Sequence, residues 1–487
     1  MVRVMRYALA SLSVLSSTVL CLLFSLLIVS TFWPGIAGIP LALILVVMAL
    51  RRSKLLIILW LAGIPTIFVY GNNLLGAIPM LRVERAFLPL FVLGLLSSTR
   101  LWHAQRKPLL EIEKIMLALL FVASVSMVWS SVGKPTEVLH QNVWLYTESL
   151  LVPFFGFYLA RRQQWTAKDI DLLITALMVA ALYLAIVGAL QLFLGMNFFY
   201  PHYIDPPAET GRASGVFSSP NQYGFVMMIF AFLAIYRYAR SNDGIVRILF
   251  IGAIALALFG LGICKTRAPW LGALMGLGTI YLADRRVRGL IQIGAVLLVV
   301  GIIAALPFLI ESGLLEYRIL DLEPLYPRLA AYTTALNIIA QNPLTGLGFG
   351  PLTFSLAKPI YGTTFGLIST NWTLFASIPH NEYLHMLVLM GVVGFVPFIM
   401  LLRQLFRLTA VSATTLAAVE AEWLPEFAVY VRAVVVAYLF AALLVDVMMF
   451  QYFMTLMYFL VGICASGTTV PTPAPAHFRN EAGGRPS

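Results

Sequence analysis

Gly289-Leu-Ile-Gln-Ile-Gly-Ala-Val-Leu-Leu-Val-Val-Gly-Ile-Ile-Ala-Ala-Leu-Pro-Phe-Leu309 holds no charged side chain, and Arg285-Arg286-Val287-Arg288 stands directly before it. A helix needs about 20 apolar residues to cross the hydrocarbon of a bilayer. No water is present there, so the backbone must satisfy its own hydrogen bonds. The run reads as a membrane span with a basic anchor at one end, and the same unit recurs along the chain. Apolar runs near 7–30, 33–50, 55–70, 86–99, 115–131, 143–160, 170–195, 222–238, 246–264, 268–283, 289–309, 380–402, 429–446 and 447–465 give about fourteen candidate spans. Of the 487 residues 61% are hydrophobic and 11% charged, against roughly a quarter charged in soluble domains, so a soluble core is excluded.

Orientation follows from Lys and Arg, which collect in short cytoplasmic loops. With the N-terminus inside, the inner segments take Arg51-Arg52-Lys54, Arg106-Lys107, Arg161-Arg162, Arg237, Arg240, Arg247, Arg285, Arg286, Arg288, Arg403 and Arg407, and both termini are cytoplasmic. The apolar run from Tyr7 follows a basic Met1–Arg6 and is too long for a signal-peptide core, so it reads as an uncleaved span. The net charge of +11 comes from span-end clusters and points to topology, not to nucleic acid. Cys21, Cys264 and Cys464 share no metal-ligand spacing and read as small packing residues.

This topology leaves two long outward connections, 196–221 and 310–379. The second, roughly 70 residues, is far longer than the usual connection in a bundle. Pro327-Arg328 opens a helical stretch, Leu329 to Gln341. Asn342-Pro343 stops it, and Gly346-Leu-Gly-Phe-Gly350 follows as a flexible turn. The expected organisation is 1–309, N-terminal transmembrane helices with outer loop 196–221; 310–379, a partly helical periplasmic cap; 380–466, C-terminal transmembrane helices; and 467–487, a disordered cytoplasmic tail. Residues 408–428, with Glu420, Glu422 and Glu426 beside Trp423 and Phe427, read as a cytoplasmic surface helix. No internal repeat or inverted symmetry of the transporter kind is visible.

Four side chains from distant parts of the chain fall on the outer face: Arg212, Arg267, Arg328 and His380. Each has a bland reading. Arg212 suits a solvated loop, Arg267 a snorkelling span end, Arg328 the start of a surface helix, and His380 a helix cap. Their shared side is the argument, because the orientation rule does not place arginines there. A guanidinium donates two parallel hydrogen bonds to phosphate oxygens, so a pair at the outer interface suits a diphosphate whose lipid tail lies in the bilayer. Lys265 would add to that field, and Asn221 closes the Arg212 segment. His380, after Pro379, suits a general base near neutral pH. Asn381 and Glu382 would orient its imidazole or bind sugar hydroxyls. His385 lies roughly 140° further around a helix and need not share the site. Gly346-x-Gly348-x-Gly350 lacks the strand–turn–helix setting of a nucleotide loop. No His, Cys, Asp and Glu cluster has metal spacing, and no Gly-x-Ser-x-Gly elbow is present.

The segments Arg212-Ala-Ser-Gly-Val-Phe-Ser-Ser-Pro-Asn221, Lys265-Thr-Arg267, Arg328 with Asn342-Pro-Leu-Thr-Gly-Leu-Gly-Phe-Gly350, and Pro379-His-Asn-Glu-Tyr-Leu384 with Gly391 and Gly394 resemble the O-antigen ligase and polymerase superfamily. The likeness runs over residues 115–465. It implies an all-α, polytopic, GT-C-like membrane fold of about 12–14 transmembrane helices. It also implies an inverting, metal-independent glycosyltransferase that needs no cofactor. The donor would be a glycan on undecaprenyl diphosphate and the acceptor a lipid A–core sugar, at the outer face of the bacterial inner membrane, in lipopolysaccharide biosynthesis. By motif, Arg212 and Arg267 would hold the diphosphate and His380 would activate the acceptor hydroxyl, with Arg328 in the cap. A polymerase of carrier-linked repeat units or a protein O-oligosaccharyltransferase would carry a similar core. A lipid-linked glycan flippase is the reading from another class, and it calls for ionisable groups along the bilayer midplane. Glu148 and Asp446 are the most notable acids inside apolar runs.

Overall fold

The computed structural model describes residues 53–68, 108–196, 211–311, 325–362, 378–410 and 422–467, with isolated positions before residue 93. Among them the chain is all-α, and seven helices are long and apolar enough to cross a membrane. The protein is a multi-pass membrane protein. The candidate spans 7–30 and 33–50, most of 86–99 and the tail from 468 lie outside the described residues.

The helices in chain order are α1 (Ser53–Gly63), α2 (Glu111–Ser131), α3 (Thr136–Arg162), α4 (Ala167–Leu194), α5 (Pro220–Arg240), α6 (Gly244–Ile263) and α7 (Arg267–Ala283). They continue as α8 (Arg288–Glu311), α9 (Leu325–Gln341), α10 (Thr353–Tyr361), α11 (Glu382–Ala410), α12 (Trp423–Ala441) and α13 (Gln451–Ser466). Their ends follow local chemistry. Thr166 caps α4 by accepting from the Asp169 N–H, while Asp169 reaches back to the Thr166 N–H. Ser219 caps α5 just ahead of Pro220 at the first helical position.

Helix α5 is the centre of the bundle. Of its apolar window 83% is buried, against 22% for its neighbour α6, which exposes Ile245, Ile248, Leu249, Ile251, Leu258 and Phe259, a surface suited to lipid. Aromatic rings fill the space around α5. Phe225 meets Phe450 and Phe453, while Tyr236 meets Phe427 and Tyr430 edge-on.

The end of the bundle that carries the basic clusters is closed by ion pairs. Arg240 and Arg286 share the Glu426 carboxylate at 3.0 and 2.9 Å, and Asp284 accepts from Arg286 and from the Tyr430 hydroxyl. Arg237 pairs with Asp171, Lys54 with Asp169, and the buried Arg161 with Glu113. The described ends of the 408–428 segment belong to the neighbouring helices α11 and α12. Ala410 ends α11, residues 411–421 lie outside the described set, and Trp423 and Phe427 are buried in the first turns of α12. A single apolar face that continues a span is spent on packing, so those two rings cannot also lie on a surface.

The expected 380–402 span is two helices. Gly391, with φ 57° and ψ −159°, breaks α11, and residues 392–410 alone reach about 28 Å at 1.5 Å per residue, close to a membrane thickness. The backbone groups freed by the break are taken by the segment after α9. Leu347 N–H donates to Val388 O (2.8 Å), Gly348 N–H to Leu389 O (2.9 Å), Val392 N–H to Pro343 O (2.9 Å) and Val393 N–H to Leu344 O (3.1 Å). Broken helices survive in membranes when protein satisfies the freed groups in this way. The fit is close: a Cβ on Gly391 would meet the Leu344 carbonyl carbon at 2.3 Å, and one on Gly346 the Val388 oxygen at 2.5 Å. Residues 346–350 are thus a fitted splint and not the flexible turn expected from their glycines. Ser126 and Ser130 of α2 fasten it further through both backbone groups of Phe349. The cap helix α9 starts one turn before the expected Leu329. It packs Ala331, Ala335 and Ile338 against Phe354 and Ala357 of α10 and Val388 of α11.

Candidate functional site

The end of the bundle opposite the ion pairs gathers the residues singled out by their chemistry into two flanks. The first is built by the loop before α5 and the turn between α6 and α7. Ala213 N–H donates to Ile263 O at 3.1 Å, which fastens the Arg212 segment to the turn carrying Lys265 and Arg267. Gln191 of α4 steadies the same loop, accepting from the N–H groups of Ser214 and Gly215. Arg212 is half-buried and near enough to the Cys264 thiol to act on it electrostatically, while Lys265 and Arg267 are exposed. Asn221 sits half-buried in the first turn of α5 and gives its N–H to Ser219.

The second flank is built by residues 378–385, the start of α9, and residues 442–450. His380 is half-buried and within electrostatic reach of Arg328, Asp446 and His385. Burial holds its imidazole below the ordinary histidine value, the Arg328 guanidinium pushes the same way, and the Asp446 carboxylate opposes both. Between the flanks run residues 447–453, where Phe217 of the first flank stacks on Tyr452 and Phe225 of α5 meets Phe450.

Backbone strain marks both flanks. Among the described residues only Lys265 (φ 48°) and His380 (φ 53°) hold a left-handed conformation without being glycine. Such a conformation costs an L-residue on the order of 1–3 kcal/mol and persists where surrounding contacts enforce it, commonly at functional sites.

The family comparison can now be set beside this geometry. Residues 252–399 match the family model described as O-antigen ligase. This stretch is similar to the O-antigen ligase family. The O-antigen ligase stretch holds Lys265, Arg267, Arg328, His380, Asn381 and Glu382, together with the broken helix and its splint, while Arg212 and Asn221 precede it and Asp446 follows it. No curated protein matches the chain.

The second flank differs in detail from the expectation. Glu382 does not orient the imidazole of His380 directly, because both its carboxylate oxygens are engaged elsewhere: one accepts from Tyr438 O–H at 2.7 Å and the other from Val447 N–H at 3.1 Å. Asn381 likewise faces Leu443 O at 3.2 Å. His385, set aside on helical angle, is fully buried beside the site with its Nδ1 paired to Asp446 Oδ2. The angle argument failed because it placed His385 relative to His380 on one helix, whereas His380 lies before the helix in a left-handed turn. A signal for the pair was present in the sequence. A lone acid in one apolar run and a histidine in another should find each other, since neither is tolerated unpaired in a membrane. Glu148 obeys the same rule, held by Arg85 within a π turn of α3.

Proposed function

We propose that this protein is an O-antigen ligase-like glycosyltransferase at the periplasmic face of the bacterial inner membrane, moving a glycan from undecaprenyl diphosphate to a hydroxyl of a lipid A–core sugar. The observation that carries the reading is His380, strained, half-buried and within electrostatic reach of the Arg328 guanidinium and the Asp446 carboxylate, inside the stretch that matches the O-antigen ligase family. A histidine held below its ordinary pKa is neutral at working pH and able to accept a proton.

In this reading Arg212 and Arg267, with Lys265, hold the diphosphate and neutralise the charge that develops on it. The acceptor hydroxyl lies against His380 in line with the anomeric carbon. The acceptor oxygen forms the new glycosidic bond, the bond from the anomeric carbon to phosphate breaks, and that electron pair leaves with undecaprenyl diphosphate. The hydroxyl proton passes to the imidazole, and the anomeric configuration inverts. A diphosphate is already a good leaving group, so these residues supply the parts such a transfer requires. The acids inside apolar runs, Glu148 and Asp446, are held by Arg85 and His385, which suits structural anchors better than a translocation path.

The test is purified protein in detergent with an undecaprenyl-diphosphate-linked glycan and lipid A–core. A new glycosidic bond is expected; no bond formation by folded protein supplied with both substrates would overturn the reading. In a deletion strain, unligated polymer on the carrier supports the ligase, whereas single unlinked repeats would instead assign a polymerase.

A further inference from the structure

A left-handed histidine needs something to hold it, and the hydrogen bonds after His380 have a common target. Asn381, Glu382 and His385 all reach residues 442–447 or the end of α12 just before them. The Asn381 amide donates to Leu443 O at 3.2 Å while its oxygen accepts from Leu384 N–H at 3.1 Å, starting the helix. The Glu382 N–H donates to Ala442 O at 2.8 Å. The Glu382 carboxylate, 1% exposed, joins Tyr438 O–H to Val447 N–H. His385 closes the set on Asp446. A carboxyl group is rarely buried to engage one hydroxyl and one amide, because removing it from water is expensive. Here it ties two ends of a non-helical segment to the residue next but one to the strained histidine.

We propose that Glu382, assisted by Asn381 and Tyr438, is a positioning residue that clamps the 379–382 turn onto residues 442–447 and so holds the His380 backbone in its left-handed conformation. The proposal rests on His380 being the base of the transfer reaction. Glu382 acts through the backbone and touches no substrate, which separates it from the direct imidazole contact that its sequence position suggests.

A cycle of Glu382→Ala, His380→Ala and the double variant in the full-length protein tests it, with kcat and donor KM measured in detergent. Glu382→Ala is expected to lower kcat about ten-fold or more, to leave KM within about two-fold, and to add less than about two-fold to the loss already caused by His380→Ala. An equal loss in both backgrounds would make Glu382 a fold clamp with no bearing on His380 and would overturn the proposal. Glu382→Gln, which keeps one acceptor oxygen, is expected to recover part of the rate.

A second comparison needs no activity. His380→Gly, free of the left-handed penalty, is expected to unfold at a higher temperature than His380→Ala, and the difference should vanish once Glu382→Ala is added. Persistence of the difference would overturn the clamp. Should His380→Ala retain full transfer, the reading of His380 as base fails, while this thermal comparison still decides whether Glu382 enforces the turn. If Glu382→Ala does not fold, Tyr438→Phe and Asn381→Ala, each removing one side-chain bond, carry both comparisons.

Discussion

The two ends of the bundle use the same kinds of residue in opposite ways. At one end acids meet arginines: Glu426 takes Arg240 and Arg286, Asp284 takes Arg286, and Asp171 takes Arg237. At the other end two of the described acids meet something else. Glu382 holds a tyrosine hydroxyl and a backbone amide, and Asp446 holds His385, while Arg212, Lys265, Arg267 and Arg328 sit on the surrounding loops and helix starts. Backbone conformation divides the same way, since both left-handed non-glycine residues among those described lie at the His380 end. A charge pair at a helix terminus closes a bundle at little strain. An acid spent on holding a turn, at the end that also carries Arg212, Lys265, Arg267 and Arg328, is what the proposed diphosphate site would call for. The difference teaches that partner choice, more than residue type, separates a latch from a site.

That contrast can be broken by substitution, beginning with the largest expected effect. His380→Ala should cut transfer by about 10²- to 10⁴-fold, the usual worth of a general base, in an assay at saturating donor and acceptor. An unchanged rate would remove the histidine from the chemistry. Gly391→Ala should next deplete folded protein, by about 3 kcal/mol or more, since its Cβ would meet Leu344 carbonyl carbon at 2.3 Å in a left-handed backbone. Size-exclusion yield and thermal unfolding measure it, and a well-folded Gly391→Ala would show that the splint is not tight. Arg267→Ala and Arg212→Ala should each lower kcat/KM for the donor by about 10- to 100-fold, with lysine restoring charge but not the two-pronged fork. Equal recovery by lysine would argue for a simple field.

Smaller effects sharpen the comparison. Transfer should rise with pH as His380 loses its proton, and burial together with Arg328 keeps that step below the ordinary histidine value. Removing the cation in Arg328→Gln raises the histidine's proton affinity, so the acid limb of the pH–rate profile should move to higher pH. A limb that stays in place, or moves down, would take Arg328 away from His380. At the opposite end, Glu426→Gln should leave transfer within about two-fold and cost less than about 1 kcal/mol of stability, because its pairs are partly exposed. A large loss of activity there would erase the distinction between the ends.

Much of the framework is legible in the chain. The spacing of apolar runs places helices at Pro220–Arg240, Gly244–Ile263 and Arg267–Ala283 within a few residues of their expected limits, because a membrane allows little besides a helix of that length. The match of residues 252–399 to the O-antigen ligase family agrees with motifs that can be read directly, ending in Pro379-His380-Asn381-Glu382. Local glycine content misled at 346–350. Glycine permits both a mobile turn and a close approach of backbones, and only the facing strand of broken helix, Val388 to Val393, decides between them.

The sequence by itself determined that this chain lives in a membrane, how its helices are spaced, and which family part of it resembles. Those properties depend on hydrophobicity and on short motifs, which are local. Tertiary structure alone decided that Glu382 faces Tyr438 and Val447, and that His380 lies in a strained turn within electrostatic reach of Arg328. Such partnerships join residues roughly 60 positions apart through the demand that buried polar groups be paired, and that demand has no address until the helices are packed.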